Sequence, residues 1–450
     1  MSDQAQADSH SDSLCSSQVR GGRHLLVLSS AGKPIFSLQH GDETSVADLA
    51  ALVAAIVSFV QRGGDEIRHV RAGATSLAFL VRGPLYLVAS SSCGDTVPYL
   101  SRQLAALHAQ LLSVLTSKVE EVFARNAGFD LRSLLGGTDR ALQRMLRGAT
   151  SSPSLLLQAP PAMRAPPALR GELTRRLRRN RPAPLLFAVL LGHGRLLTAL
   201  RGQRAALGAS DLLLLLNAIS EAAEGGEGGG EGRGGEGGGG EGRGGRQFAD
   251  DQSQSWLPLC LPHFNERGFL HAHVSTVGQH LRLVLLSPDR DAFAPLAAHR
   301  DAFAASLAAL APPAASALAA ALAAPSPPLE AAGVPELLHY AYTATSLGQS
   351  TSPLLPAGSP YAEPAALERL LRRYQRAQAR THAKGRDGPA HEYFAASDSE
   401  LVVAWRGAGF ELYVALWPLI QLPAAAAACS QLLRWLRREE KALFLTYTKY

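Results

Sequence analysis

The sequence of 450 residues has few charged side chains and very little lysine. Charged residues make up 18% of the chain, against about 25% in a typical domain. The net charge of +6 is carried mainly by arginine, which permits contact with phosphates or anionic lipid but is too small to require nucleic acid. The apolar share of 46% over this length predicts several globular domains and excludes a disordered chain.

The chain also lacks clustered cysteines and a secretion signal. Its four cysteines form no C-x-x-C pair, so neither a zinc site nor a disulfide framework is indicated, and we expect a reducing cytosolic location. Residues 1–22 are polar and contain no apolar core of a signal peptide, so they are expected to form a disordered tail.

No apolar run is long and uninterrupted enough to predict a membrane span. Two stretches, 302–329 and 412–433, carry few or no charges, but each contains prolines, and the second begins with a strand-like alternation. Any membrane contact is therefore expected to be peripheral.

Short apolar runs and helical spacings follow one order three times. After residue 23 the order is strand, strand, a helix over 46–61, three strands, and a helix over 99–114. The order returns after residues 184 and 337, and the last pass ends in a helix predicted over 424–443. We therefore predict an α+β protein with three consecutive domains, each a five-stranded antiparallel meander sheet with one inserted helix and C-terminal helices.

The predicted domains cover residues 23–150, 151–330 and 331–450. Within the second, the Gly/Glu-rich residues 224–246 contain nothing apolar and predict an inserted loop. Its repeated Gly-Arg-Gly-Gly is also found in RNA-binding segments, but here glutamates outnumber arginines and no aromatic residue is interleaved, so RNA binding is not favoured.

Motifs of catalytic chemistry are missing. Lys33 follows a glycine, as in a phosphate-binding loop, but Pro34 leads into another strand rather than a helix. The sequence contains no G-x-S-x-G elbow. Four neighbouring histidines have no carboxylate or cysteine at ligand spacing, so ordinary strand positions are favoured over a metal site; they are His263, His271, His273 and His280. We expect no enzyme, no metal and no cofactor.

Three features remain as candidate binding surfaces. The helix over 46–61 is apolar nearly all round, so one side can cover its own sheet while the other needs a second cover, either a partner or later domains of the chain. A basic block can face anionic lipid or simply be a solvated helix face; its candidates are Arg175, Arg176, Arg178 and Arg179. Trp256 is either a core residue or an interface anchor.

Several stretches in this order resemble the monensin-sensitivity family of vacuolar fusion proteins. They include HLLVLSSAGKPIFS after residue 23, AAIVSFVQ within the helix over 46–61, and FDLRSLLGG at 129–137. Further along stand WLPLCLPHFNERGFLHAHVS at 256–275, AWRGAGFELY at 404–413 and LLRWLRREEKALF at 432–444. The resemblance covers residues 23–450 and implies that the three predicted domains are longin domains.

The resemblance also implies a function. The chain would pair with a second longin-domain subunit, of the calcium-caffeine-zinc sensitivity family, as a guanine nucleotide exchange factor for a late-endosomal or vacuolar Rab GTPase. An early-endosomal Rab GTPase and acidic phosphoinositide membranes would recruit it from the cytoplasm to endosomal and lysosomal membranes. There it would drive early-to-late endosome conversion, autophagy and vesicle fusion with the lysosome or vacuole. The alternative is a non-catalytic longin scaffold or adaptor that binds a small GTPase and anionic membranes.

By the same resemblance, the first longin domains of the two subunits join sheet edges and present their inserted helices to the Rab. The residues expected to contact the Rab or the partner are Asp48, Leu49, Leu52, Val53, Ile56, Val57 and Val60. Trp256 is expected to contact the recruiting Rab. Exchange would need no acid, base or nucleophile, because tighter binding of the nucleotide-free Rab is sufficient.

Overall fold

The computed structural model describes residues 22–38, 43–125, 135, 139–202, 207–224, 254–383 and 391–446. Its strands form three five-stranded sheets. The chain divides into two compact units, Met1–Ala159 with Ser326–Glu439, and Pro160–Pro325 with Glu440–Tyr450. Nearly all of the predicted tail and insertion, and most of the motif at 129–137, lie outside the described residues.

The first sheet and its helices follow the predicted order. The elements are β1 (Arg23–Ser29), β2 (Pro34–Ser37), α1 (Glu43–Arg62), β3 (His69–Ala72), β4 (Thr75–Arg82), β5 (Leu85–Ser91), α2 (Val97–Leu115), α3 (Val119–Arg125), α4 (Asp139–Ser151) and α5 (Ser154–Leu157). The strands are arranged β2-β1-β5-β4-β3, all antiparallel, so β2 and β3 are the two edges. The helix α1 is therefore inserted between the two edge strands.

Both faces of this sheet are apolar. On β1, Leu25 and Val27 pack into the core that contains α2, while Leu26 and Leu28 pack into the core that contains α1. Successive side chains of a strand point to opposite faces, so an unbroken apolar run such as this one is covered on both sides. The domain is a sheet between two helical layers.

The third sheet lies in the same unit and repeats the arrangement. Its elements are a 3-10 turn (Leu329–Ala332), β11 (Leu337–Ala344), β12 (Gln349–Thr351), α11 (Pro364–His382), β13 (Glu392–Ala396), β14 (Leu401–Gly407), β15 (Phe410–Leu416) and α12 (Leu422–Arg438). The strand order is β12-β11-β15-β14-β13. Tyr374 of α11 packs on one face of the sheet, and Trp435 of α12 lies against Tyr340 with ring centroids 6.5 Å apart.

A buried ion pair ties the first sheet to α11 within this unit. The Arg23 guanidinium donates from Nη2 to Asp95 Oδ1 at 2.7 Å, and Arg23 Nη1 lies 2.5 Å from Glu368 Oε1 of α11. Arg372, also on α11, donates to the carbonyl of Cys93 at 2.8 Å. Burial alone would raise the pKa of Asp95, but the hydrogen bonds and charge of Arg23 hold it below its ordinary value.

The second unit holds the middle sheet. It contains α6 (Pro167–Arg178), β6 (Phe187–Gly192), β7 (Arg195–Leu200), α7 (Ala209–Glu224), β8 (Gln254–Leu261), α8 (Pro262–Asn265), β9 (Glu266–Gly278), β10 (Leu281–Ser287), α9 (Phe293–Ala308), α10 (Pro312–Ala323) and α13 (Glu440–Leu443). The strand order is β7-β6-β10-β9-β8. Three five-stranded antiparallel sheets of one topology confirm the predicted α+β fold. The prediction that each sheet is a simple meander is wrong, because the first strand of each pairs with the fifth and the inserted helix joins the two edge strands. The helix predicted over 424–443 is interrupted, since α12 ends at Arg438 and α13 belongs to the second unit.

In the part of the chain that the structure describes, no single helix has the length and hydropathy of a membrane span. The helices α9 and α10 meet that test only as a pair, with a bend of 103° between them.

We expect the Asp95→Asn variant to lose about 3–5 kcal/mol of unfolding free energy, because it leaves the buried Arg23 without its main anion. The change is measured by urea unfolding followed by tryptophan fluorescence.

The wild-type carboxylate stabilises the fold above its unfolded pKa of about 4, and this stabilisation is lost as the pH falls through the lower folded pKa. The Asn variant lacks this acid dependence. Asp398→Asn, an exposed aspartate in the same unit, is the control and should change stability by less than about 0.5 kcal/mol. Equal stability of the two variants would contradict the assignment.

Candidate functional site

One side of α1 belongs to the core of the first domain. Val53 and Val57 are 1% and 0% exposed and pack on the sheet face that carries Leu26 and Leu28. The prediction that these two valines contact a Rab or a partner is therefore wrong, because their own sheet already covers them. Leu49 is half-buried against the same core.

The opposite side of α1 is apolar and exposed. Leu52 is 57% exposed and Phe59 is 78% exposed, and the small Ala55 between them is also exposed. Residues three, four and seven apart share one stripe of a helix, so these side chains form a continuous apolar face. Of the predicted contact residues, Leu52 lies on this outer face.

The other predicted residues of α1 lie beside this face or cannot be placed. Ile56 and Val60 are half-buried and flank the stripe. The side chain of Asp48 lies outside the described residues. Phe59 was missed by the sequence analysis, although its position seven residues after Leu52 would have placed it on the same stripe.

The edge strand β3 continues this surface. All four of its residues are exposed, and Val70 stands opposite Leu77, which packs against the core beneath α1. Directly paired residues of antiparallel strands point to the same face, so Val70 lies on the α1 side of the sheet. Phe79 donates its backbone N–H to the carbonyl of Arg68 at 2.9 Å. The alternation of antiparallel pairing then directs the N–H of Arg71 away from β4.

The other two inserted helices have no comparable face. Among the described residues, the large hydrophobic side chains that are exposed are Leu52, Phe59, Val70, Phe269, Leu354, Trp417, Leu419 and Leu422. None of these lies on α7 or α11, whereas two lie on α1 and a third lies on β3. The first domain is therefore distinguished by its apolar helix face.

The connection between β15 and α12 exposes a second apolar group. Trp417, Leu419 and Leu422 are 57%, 95% and 58% exposed. They fall within the stretch at 412–433, which the sequence analysis rejected as a membrane span. Trp417 and Leu419 lie in the connection itself, and Leu422 is the first residue of α12.

The four arginines predicted to bind lipid do not share one environment. Arg175 and Arg178 line a groove on α6, whereas Arg179 is exposed just beyond the end of that helix. Arg176 lies with Nε 2.6 Å from Glu172 Oε1 and also donates to the carbonyl of Ser306 on α9. Arg176 therefore has a packing role that the basic run did not indicate.

Trp256 is half-buried on the edge strand β8. Its ring stacks on His271 with centroids 5.5 Å apart and meets the ring of Phe293 edge-on at 5.7 Å. The neighbouring His273 is fully buried, with Nε2 3.0 Å from Gln254 Oε1, and burial lowers its pKa to about 4. Trp256 therefore contributes to packing and keeps part of its ring at the surface.

The four histidines considered as metal ligands fall in different places. His263 lies beside the buried Asp211, with Nδ1 to Oδ1 at 3.3 Å, and burial raises the pKa of that carboxyl. His280 stacks on His193 at a centroid distance of 4.3 Å. Within the described ranges, no three His, Cys, Asp or Glu side chains are close enough together to hold a metal ion.

Comparison with known families assigns all three domains. Residues 23–145 match the first longin domain of FUZ, MON1 and HPS1, residues 183–305 match the second, and residues 336–440 match the third. Each matched range contains one of the three five-stranded sheets or most of it. The predicted longin fold is thereby confirmed.

Curated relatives match over nearly the whole chain. Human vacuolar fusion protein MON1 homolog B is 34% identical over 447 residues, covering 94% of this chain and 76% of its own length. Human MON1 homolog A is 32% identical over 426 residues, and the chain spans only 60% of that relative. The protein SAND of Takifugu rubripes is 31% identical over 444 residues, covering 98% of this chain and 79% of its own length. The three domain matches in order and these relatives confirm the resemblance read from the sequence, and the chain belongs to the MON1 family of proteins with three longin domains.

Proposed function

We propose that this chain is a subunit of a heterodimeric guanine nucleotide exchange factor that activates a late-endosomal or vacuolar Rab GTPase. The supporting observation is the exposed apolar face of α1, formed by Leu52 and Phe59, with Val70 on the same side of the sheet. Relatives named vacuolar fusion proteins support a role in fusion with the vacuole, and endosome conversion and autophagy are proposed together with it.

The physical basis of the proposal is the cost of leaving these side chains in water. Burying a large apolar side chain contributes about 1.5–3 kcal/mol, so two such residues provide a substantial part of a binding interface. The inner side of α1 is fixed in the core through Val53 and Val57. Because that helix is held by its own domain, its outer face is presented without a large ordering cost on binding.

The edge strand β3 offers a place for the second subunit. An exposed strand edge pairs readily with another strand through main-chain hydrogen bonds. In this proposal, the first longin domain of a calcium-caffeine-zinc sensitivity family protein adds its sheet at β3, and the two inserted helices together form the Rab surface. Exchange follows from tighter binding of the nucleotide-free Rab, with no covalent chemistry and no cofactor supplied by this chain.

Two further surfaces are proposed to recruit the chain to membranes. The exposed part of Trp256 is proposed to contact an early-endosomal Rab GTPase, and the exposed Arg175, Arg178 and Arg179 to contact acidic phosphoinositide membranes. The chain would then move from the cytoplasm to endosomal and lysosomal membranes as a peripheral protein.

We expect Phe59→Asp to slow nucleotide release from the Rab by roughly tenfold or more, because a charge replaces an interface residue worth at least about 1.4 kcal/mol. The assay follows fluorescent GDP released from the Rab by the heterodimer, and Leu52→Asp should act in the same direction. Leu419→Asp is the matched control, since it puts the same charge on a leucine that is 95% exposed in the third domain.

If the heterodimer that carries Phe59→Asp releases GDP from the Rab at the wild-type rate, the proposed contact between α1 and the Rab is contradicted. If the wild-type heterodimer fails to accelerate release and binds only the GTP form of the Rab, the chain is an adaptor instead. Thermal unfolding should be unchanged in both aspartate variants of α1, because the substituted side chains already lie in water.

A substitution on β3 tests the edge contact separately. Arg71→Pro removes an N–H that points away from β4, so we expect it to weaken heterodimer formation by roughly tenfold while the first sheet stays folded. Arg71→Ala keeps that N–H and should assemble as the wild type does. Sedimentation velocity of the mixed subunits measures the association, and equal assembly by the two variants would show that β3 is not the contact.

A further inference from the structure

The connection between β15 and α12 carries the most exposed large apolar side chain of the described residues. Leu419 is 95% exposed, and Trp417 and Leu422 on either side of it are each more than half exposed. Residues 417–422 are here called the apolar turn. Large apolar side chains that stay together in water mark an interaction site, and the packing of the third domain does not use these three.

The apolar turn is held in one conformation by main-chain hydrogen bonds. Trp417 donates its backbone N–H to the carbonyl of Glu336, just before β11, at 3.0 Å. Ile420 donates to the carbonyl of Trp417 at 3.3 Å, which closes the turn. The helix α12 begins directly after its N-cap residue, Gln421. Because the turn is fixed at both ends, it presents Leu419 without a large ordering cost on binding.

The sequence around the tip of the turn carries no charge. Residues 412–433 contain no Asp, Glu, Lys or Arg. Beyond Leu422, the exposed residues in the first turns of α12 are also apolar: Pro423, Ala424, Ala426 and Ala427. Glu336, whose carbonyl anchors the turn, is half-buried. The tip can therefore leave water without the cost of desolvating an exposed charged side chain.

The tip of the apolar turn is small and projects outward. Almost nothing of its own chain packs against Leu419. Three side chains present less than the ~800 Å² that each partner buries in a stable protein interface. A bilayer takes up single projecting side chains, and binding strengthens with the apolar area that enters it. Tryptophan is enriched at the membrane–water interface, because its ring is apolar and its N–H is polar.

We propose that the apolar turn inserts into a lipid bilayer, with Trp417, Leu419 and Leu422 as the inserting side chains. The insertion is shallow, because the backbone of an irregular turn needs water and cannot enter the hydrocarbon core. The turn recognises hydrocarbon and not a head-group charge. This separates it from the exposed arginines at the end of α6, which are proposed to contact acidic lipids. Salt does not screen the apolar contribution.

The test compares Leu419→Asp with Leu354→Asp in the full chain. Leu354 is 52% exposed, belongs to the same compact unit and lies outside the turn, so both variants place the same charge on an exposed leucine. Binding is measured by flotation with vesicles of dioleoyl phosphatidylcholine, alone and with phosphatidylserine, at low and high salt. Thermal unfolding of both variants should match that of the wild type.

We expect Leu419→Asp to weaken binding to both kinds of vesicle by roughly tenfold or more, the effect of losing one large apolar anchor and placing a charge there. Leu354→Asp should change binding by about twofold or less, as a surface substitution outside the site does. The difference between the two variants should persist at high salt, because it comes from apolar burial.

Tryptophan fluorescence locates the turn in the bilayer. Phosphatidylcholine brominated on its acyl chains quenches a tryptophan that enters the membrane. Trp417→Phe keeps an aromatic anchor, so it should still float with vesicles but lose most of this quenching. The other tryptophans should contribute little, since Trp435 is buried and Trp256 and Trp405 are half-buried.

Four results would overturn the proposal. They are absence of wild-type binding to both kinds of vesicle, flotation of Leu419→Asp at the wild-type level, equal loss of flotation by the two aspartate variants, and equal quenching of the wild type and Trp417→Phe. If Leu419→Asp floats as the wild type does but assembles poorly with the second longin-domain subunit in sedimentation velocity, the turn is a protein contact instead.

Nucleotide exchange measured without vesicles separates this inference from the proposed function. The heterodimer containing Leu419→Asp should exchange at the wild-type rate in solution, as its use as a control for Phe59→Asp requires. If the wild-type heterodimer shows no exchange while the apolar turn still inserts into vesicles, the proposed function fails and the inserting turn stands.

Discussion

Both faces of the first sheet are apolar, and this requirement for two helical covers determines where α1 lies and what it can present. The side chains of Leu26 and Leu28 need a cover on the face opposite α2, and Val53 and Val57 provide it. A helix has more surface than one sheet face can hide, so the remaining apolar residues of α1 are left outside. Leu52 and Phe59 are exposed for that reason. Neighbouring large apolar residues that stay exposed on one helix face are typical of interaction surfaces, which favours the proposed role of α1.

The three inserted helices show that topology alone does not decide the role of a domain. The helix α7 buries Leu212, Leu215 and Ile219, and the structure describes no large exposed hydrophobic residue on it. The helix α11 uses its polar residues inside its own unit, where Arg372 binds a carbonyl and Glu368 meets Arg23. Among the described residues, only the first of the three inserted helices exposes large apolar side chains, and this difference favours the proposed binding role of the first domain.

Much of this fold was predictable because strands and helices alternate with clear breaks. The helix predicted over 46–61 occupies Glu43–Arg62, and the strands of all three sheets occur along the chain in the predicted sequence. The order of the strands within each sheet was not predicted, because the pairing of β1 with β5 joins residues distant in sequence. The orientation of α1 was not predictable, since a helix apolar all round gives no sign of which side faces the sheet. This ambiguity is why Val53 and Val57, which face the sheet, were included among the predicted contact residues.

The two proposed binding surfaces rely on different physics. Burial of Leu52 and Phe59 releases water from apolar surface and depends little on ionic strength. The proposed attraction of acidic membranes to the exposed arginines at the end of α6 acts between charges, which salt screens over a Debye length of about 10 Å at 0.1 M. The apolar face belongs to the first compact unit and the arginines of α6 to the second. On these proposals, attachment to an acidic ligand can be released by salt or by dephosphorylation of that ligand while the contact made by α1 persists. One chain can therefore keep its subunit partner and change its membrane.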